Sequence, residues 1–170
     1  MGRDKALLPF RGATLAGTVA EAVGAAAGSV RLVGSLSYGE LGYGIVPDGY
    51  PGEGPLGGIL TALDHSPADW NLIVACDMPA LSADFLRQLL DAAGASGAGV
   101  LLPADPSGRL QPLCAVYHRS SRQGLGAAFA RGVRKVAEAL EEVACAPGPI
   151  TEAFYFQNVN TPEDWAAYGR

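Results

Sequence analysis

Apolar residues along the chain follow two rhythms, one helical and one extended, that alternate over its length. Residues 14–27 are alanine-rich and carry Leu15, Val19 and Val23 at helical spacing, which predicts a helix ending near Gly28. Residues 30–34 read as a short strand, 35–44 as a polar, glycine-rich loop, and Ile45-Val46 as a second short strand. Proline and glycine punctuate Pro51-Gly52-Glu53-Gly54-Pro55 too densely for regular structure. Leu56, Ile59, Leu60 and Leu63 then form the stripe of a helix over 56–65. The continuous apolar run 71–76 suits a strand covered on both faces, and Ser82 can cap a helix reaching about residue 93. Strands are expected over 99–103 and 113–117, with the turn Asp105-Pro106-Ser107-Gly108 between them. Residues 119–142 predict a helix broken near Gly132, and 154–159 a last strand. Thr161-Pro162-Glu163-Asp164 carries the cap, the N1 proline and the first-turn acids of a terminal helix.

This alternation predicts an α/β fold: a doubly wound, Rossmann-like, mostly parallel sheet with helices on both faces. No repeat or linker interrupts it, so residues 1–170 are read as a single domain. With 49% hydrophobic and 17% charged residues the chain has the composition of a folded globule. A net charge of −5 argues against a nucleic-acid partner, which needs a basic face, but leaves room for small anions. No apolar stretch is long enough to span a bilayer and no leader pattern opens the chain, so a cytoplasmic location is expected. Cys76, Cys114 and Cys145 are odd in number and widely spaced, which predicts reduced, mostly buried thiols. His65 and His118 are too few for a histidine metal cluster or a Ser-His-Asp site.

In doubly wound sheets ligands sit beyond the carboxyl ends of the strands, so candidate chemistry is sought at strand exits. Leu72-Ile73-Val74-Ala75-Cys76-Asp77-Met78-Pro79 delivers Asp77 to such an exit. A carboxylate there can hold Mg2+ beside substrate phosphates, or it can simply cap a helix or bond a loop. The segment from Asp48 to Ile59 places glycines ahead of a helix. That arrangement lets a ligand approach backbone N–H groups, and it is also what a plain loop looks like. Asn158 and Asn160 alternate at the end of the last expected strand and so reach one face. Asn160, Thr161 and Pro162 make an equally good helix start without any ligand.

Five segments in order resemble the molybdenum cofactor guanylyltransferases. They are Met1-Gly2-Arg3-Asp4-Lys5-Ala6-Leu7-Leu8, Asp48 with Gly54-Pro55-Leu56-Gly57-Gly58-Ile59, and Cys76-Asp77-Met78-Pro79. Gln111-Pro112-Leu113-Cys114-Ala115-Val116-Tyr117 and Asn158-Val159-Asn160-Thr161-Pro162-Glu163-Asp164 complete the set. The resemblance covers essentially the whole chain. It implies that Lys5 holds triphosphate oxygens, assisted by Arg3, and that Asp77 binds Mg2+. It assigns Asp48, Gly57 and Gly58 to the nucleotide, with Asp48 also a second carboxylate on the metal side. Gln111, Asn158 and Asn160 fall to the pterin. Relatives often carry an asparagine where this chain reads Val33-Gly34-Ser35, which leaves Ser35 as the polar group there.

The implied reaction moves GMP from GTP to molybdopterin, with or without molybdenum, giving the guanine dinucleotide and pyrophosphate. Molybdenum-insertion or molybdoenzyme maturation proteins would be its protein partners. CMP transfer from CTP to the same pterin is one alternative, ranked second because those relatives usually lack the pair seen at Asp4-Lys5. A sugar-phosphate nucleotidyltransferase and a non-catalytic nucleotide- or pterin-binding remnant are the others. In the family a buried strand and a glycine-rich turn come before the Met-Gly step, which is residue 1 here. The first central strand is therefore expected to be absent, with weak GTP binding and lowered stability as consequences.

Overall fold

The structure, a computed structural model, describes residues 4–159 and Asp164. After a 3-10 turn at Lys5–Leu7, a tight hairpin joins β1 (Pro9–Phe10) to β2 (Ala13–Thr14). Helix α1 (Leu15–Ala27) starts where the Thr14 hydroxyl accepts from the Gly17 N–H, and it stops at Gly28, whose left-handed backbone a side chain would oppose. Next come β3 (Arg31–Gly34), a 3-10 helix at Leu36–Leu41 within the expected loop, and β4 (Gly44–Pro47). Helix α2 (Pro55–His65) opens on its proline, and β5 (Trp70–Val74) leads through a turn to α3 (Ala83–Ser96), capped by Ser82 as expected.

Strands β6 (Val100–Ala104) and β7 (Cys114–His118) follow, then α4 (Ser121–Ala130), the short α5 (Val136–Ala139) and a 3-10 turn at Leu140–Glu142. The last strand is β8 (Cys145–Ile150), before a 3-10 helix at Ala153–Phe156. This corrects the expected final strand over 154–159. Phe85 stacks on Tyr155 at 4.9 Å between ring centroids and meets Phe156 edge-on at 5.9 Å. Successive residues therefore turn toward one helix, which an alternating strand cannot do. Of the expected terminal helix, Asp164 is helical, and Thr161, Pro162 and Glu163 lie outside the described residues.

Alternation along the strands explains the helices on both faces. Val100, Leu102, Ala115 and Tyr117 pack with α2 and α4, whereas Leu101, Cys114 and Val116 pack with α1 and α3. The sheet is mixed: β7 runs antiparallel to both β5 and β6, while β6 pairs with β8 and β3 with β4 in parallel. It is also divided. Among the described residues β3-β4 forms one sheet and β5-β7-β6-β8 another. Between β3 and β5 lies a slot of about 310 Å3, lined by Val33, Leu72 and Ile73 with Val23 of α1 and Ala62 of α2. Among the described residues no strand fills it. It leaves all five residues of β5 only half-buried, although β6 is fully buried.

The three cysteines are free, but only Cys114 is buried. Cys76 lies beyond the end of β5 and Cys145 on the edge strand β8, so the expectation of mostly buried thiols does not hold. Among the described residues no helix is long and apolar enough to cross a membrane.

Candidate active site

Because β5 and β6 both run antiparallel to β7, they are parallel to each other. The exits of β5 and β6 and the entry to β7 therefore share one end of the sheet, bringing Asp77 and Gln111 to the same side. In the other sheet β3 and β4 are parallel, so the segments holding Tyr38 and Asp48 leave from a common end. The first described residues join the two halves. Tyr38 donates its hydroxyl to Asp4 Oδ2 at 2.7 Å, and the Lys5 ammonium donates to Asp77 Oδ2 at 3.2 Å. Asp4 and Lys5 thus bridge the β3 side and the β5 side at the exit end of these strands.

The Lys5–Asp77 pair is partly screened, with the side chains 29% and 22% exposed. Asp77 Oδ1 differs from its partner oxygen: it is buried without a hydrogen-bond partner among the described residues. An orphaned carboxylate oxygen carries a desolvation cost that a hard cation or a bound donor relieves. The donor set fits Mg2+ with one protein carboxylate, because Mg2+ commonly keeps waters and substrate phosphates as its other ligands. Among the described residues no group of three or more His, Cys, Asp or Glu side chains is placed to hold a metal. Beside Asp77 the Cys76 residue is exposed at the surface, but its thiol is desolvated, and that, with the Asp77 carboxylate, pushes its pKa up.

Asp48 directly follows β4, as its reading required, yet its Oδ1 is engaged locally. It accepts from the Tyr50 N–H at 2.9 Å and lies 3.2 Å from the Thr61 hydroxyl. Thr61, 1% exposed in α2, lies 2.9 Å from the Gly57 carbonyl and accepts from the Gly49 N–H at 3.1 Å. Its single proton serves either Gly57 or Asp48. The two glycines of this segment part company. A side chain at buried Gly57 would strike Tyr50 Cβ at 2.8 Å, so that glycine answers to loop packing. At Gly58 nothing lies within 4 Å, so the protein itself does not demand a glycine there.

Gln111 lies between β6 and β7, with its backbone N–H bonded to the Pro103 carbonyl and its amide to the Arg109 carbonyl. Asn158 is exposed and adjoins Asp77, because the next residue, Val159, donates its N–H to the Asp77 carbonyl at 2.9 Å. Asn160 and Arg3 lie outside the described residues. Ser35 caps the following 3-10 helix and accepts from Ser37, so its polarity is spent locally. Sequence reading missed Thr61 and Tyr38. A threonine inside a helical stripe and a tyrosine in a glycine-rich loop carry no signal until folding sets them beside Asp48 and Asp4.

Residues 1–143 match the family model described as a MobA-like NTP transferase domain. A protein of Deinococcus radiodurans named probable molybdenum cofactor guanylyltransferase is 36% identical over 168 residues, covering 97% of this chain and 85% of that protein. The solved structure of molybdopterin-guanine dinucleotide biosynthesis protein A from Archaeoglobus fulgidus has a TM-score of 0.81 and 24% identity, over 98% of this chain and 89% of that one. For 2-C-methyl-D-erythritol 4-phosphate cytidylyltransferase from Thermus thermophilus the TM-score is 0.75 at 19% identity, over 96% and 91%. At these identities the two solved structures speak for the fold.

Proposed function

The chain belongs to the MobA-like NTP transferase domain family, and from that premise we propose that it is a guanylyltransferase of molybdenum cofactor biosynthesis. It moves GMP from GTP to the terminal phosphate of molybdopterin and releases pyrophosphate. The observation that carries this reading is the Lys5–Asp77 pair at the exit of β5, with one Asp77 oxygen buried and unpartnered among the described residues.

An oxygen of the pterin phosphate forms a bond to the α-phosphorus of GTP. The bond from that phosphorus to the bridging oxygen breaks, and its electron pair leaves on pyrophosphate. No covalent enzyme intermediate is required. Lys5 holds the β- and γ-phosphate oxygens and stabilises the charge that grows on the leaving group. Asp77 is the residue that would hold Mg2+, through Oδ1; when bound, the cation neutralises phosphate charge. Asp48 and Gly58 line the nucleotide side, with Gly57 keeping that loop closed on Tyr50. Gln111, Asn158 and Asn160 are assigned to the pterin. The adjacency of Asn158 to Asp77 supports this assignment for that residue. The reaction belongs in the cytoplasm, where GTP is made.

Pyrophosphate release from the purified chain with molybdopterin, Mg2+ and either GTP or CTP tests the reading. Release with GTP and little with CTP is expected. The reverse preference makes it a cytidylyltransferase, and release with neither makes it a binding remnant.

A further inference from the structure

Asp4 stands next to the phosphate-binding lysine, and both of its carboxylate oxygens are engaged within the protein. Oδ1 accepts from the Ala6 N–H at 3.0 Å, closing the 3-10 turn at Lys5–Leu7, and Oδ2 accepts from the Tyr38 hydroxyl at 2.7 Å. Asp4 is thereby a structural clasp between the segment after β3 and the turn that carries Lys5. Tyr38 is itself held in place. Its ring lies against Gly34, the last residue of β3, where an added Cβ would come within 2.8 Å of the ring edge, and where φ is +150°. Only a glycine at that point leaves the ring room to reach Asp4.

We propose that Tyr38 is a positioning residue for Lys5: its hydroxyl fixes Asp4, Asp4 fixes the turn, and the turn aims the Lys5 ammonium at the Asp77 site. Lysine is a flexible point charge, so a fixed stem is what converts it into a defined phosphate contact. The bond also carries Lys5 across the divided sheet, since Tyr38 belongs to the β3 side and Asp77 to the β5 side. The neutral phenol keeps its proton to donate, because burial and the Asp4 carboxylate push its pKa up to about 12. The inference rests on the guanylyltransferase reading for its ligand, but the clasp can be tested without any turnover.

Tyr38→Phe keeps the ring on Gly34 and removes only the bond to Asp4. Two readouts are taken on the full chain: amide hydrogen exchange at Ala6, and affinity for GTP in the presence of Mg2+. Exchange at Ala6 is expected to quicken, and GTP binding to weaken by about tenfold, the size of one lost charge-assisted hydrogen bond. In a Lys5→Met background the same Tyr38→Phe change should leave GTP affinity where it was, because Tyr38 acts through Lys5. Unchanged Ala6 exchange in Tyr38→Phe overturns the clasp. An equal loss of affinity with and without Lys5 overturns its role in positioning and marks Tyr38 as a general support. If the wild-type chain binds no GTP, the guanylyltransferase reading falls, while Ala6 exchange still decides the clasp.

Discussion

The two oxygens of Asp77 have different surroundings: Oδ2 meets the Lys5 ammonium, and Oδ1 is buried with no partner among the described residues. Asp77→Asn removes the charge that a cation and Lys5 both require while keeping the side-chain shape. Guanylyl transfer is expected to fall by about a hundredfold or more, measured as pyrophosphate release. The unfolding free energy in urea should change by less than about 1 kcal/mol, because the ion pair keeps access to water. Tyr38 gives a pH signature of its own. Its folded-state pKa lies near 12 against an ordinary value of 10.0, raised first by burial and then by Asp4. The native state therefore holds this proton more tightly, so its contribution to stability is complete below pH 10 and is lost as pH climbs toward 12. The urea midpoint of the wild type should drop faster over that window than the midpoint of Tyr38→Phe. Equal slopes would remove the hydroxyl from the account. Of these groups Asp77 and Lys5 are legible from motif and strand exit alone, whereas Tyr38 is separated from Asp4 by 34 positions and meets it only in the folded chain.

At the scale of elements, the loop between β4 and α2 is shaped by partners distant in sequence. Glu53 pairs with Arg134, Tyr50 packs edge-on against Phe129 at 4.9 Å, and Arg122 bonds both Tyr50 and Asp64. Thr61 fastens the near side through Asp48, Gly49 and Gly57. Thr61→Val leaves the Gly49 N–H and a carboxylate oxygen without that partner, and is expected to cost about 1–2 kcal/mol in chemical denaturation. It should also weaken GTP binding, measured by titration calorimetry, by freeing Asp48. Most elements were legible from periodicity and caps: α1 from Thr14 to Gly28, α2 from its stripe, α3 from Ser82. Strand β8 was not. Ala146-Pro147-Gly148-Pro149 reads as a breaker, yet among the described residues β8 is an edge strand bonded only to β6, where prolines are tolerated. At Gly148 an added Cβ would sit 3.0 Å from the Pro103 nitrogen, so close approach of the two backbones decides the residue.

The whole molecule is governed by its divided sheet. The facing edges of β3 and β5 have no strand between them among the described residues, and the slot of about 310 Å3 leaves Leu72 and Ile73 half-buried. A strand in that slot would pair both edges and cover apolar surface on α1 and α2. A form extended ahead of Met1 by an apolar strand of about five residues and a glycine turn is expected to melt at least about 4 °C higher and to bind GTP more tightly. Matched melting temperatures and affinities in the two forms would refute this, and a proline at the centre of the added strand serves as the control. What the sequence determined by itself was local: which segments are helical or extended, that strand exits carry Asp48 and Asp77, and that the motifs are those of one nucleotidyltransferase family. These follow from periodicity, capping and short motifs, which act within a few residues. Only the tertiary structure decided that β7 lies antiparallel between β5 and β6, that the sheet is split, that Gly57 serves packing, and that Tyr38 clasps Asp4 beside Lys5. Each of these depends on backbone pairing or side-chain contact between distant segments, and no local pattern encodes which distant segment will arrive.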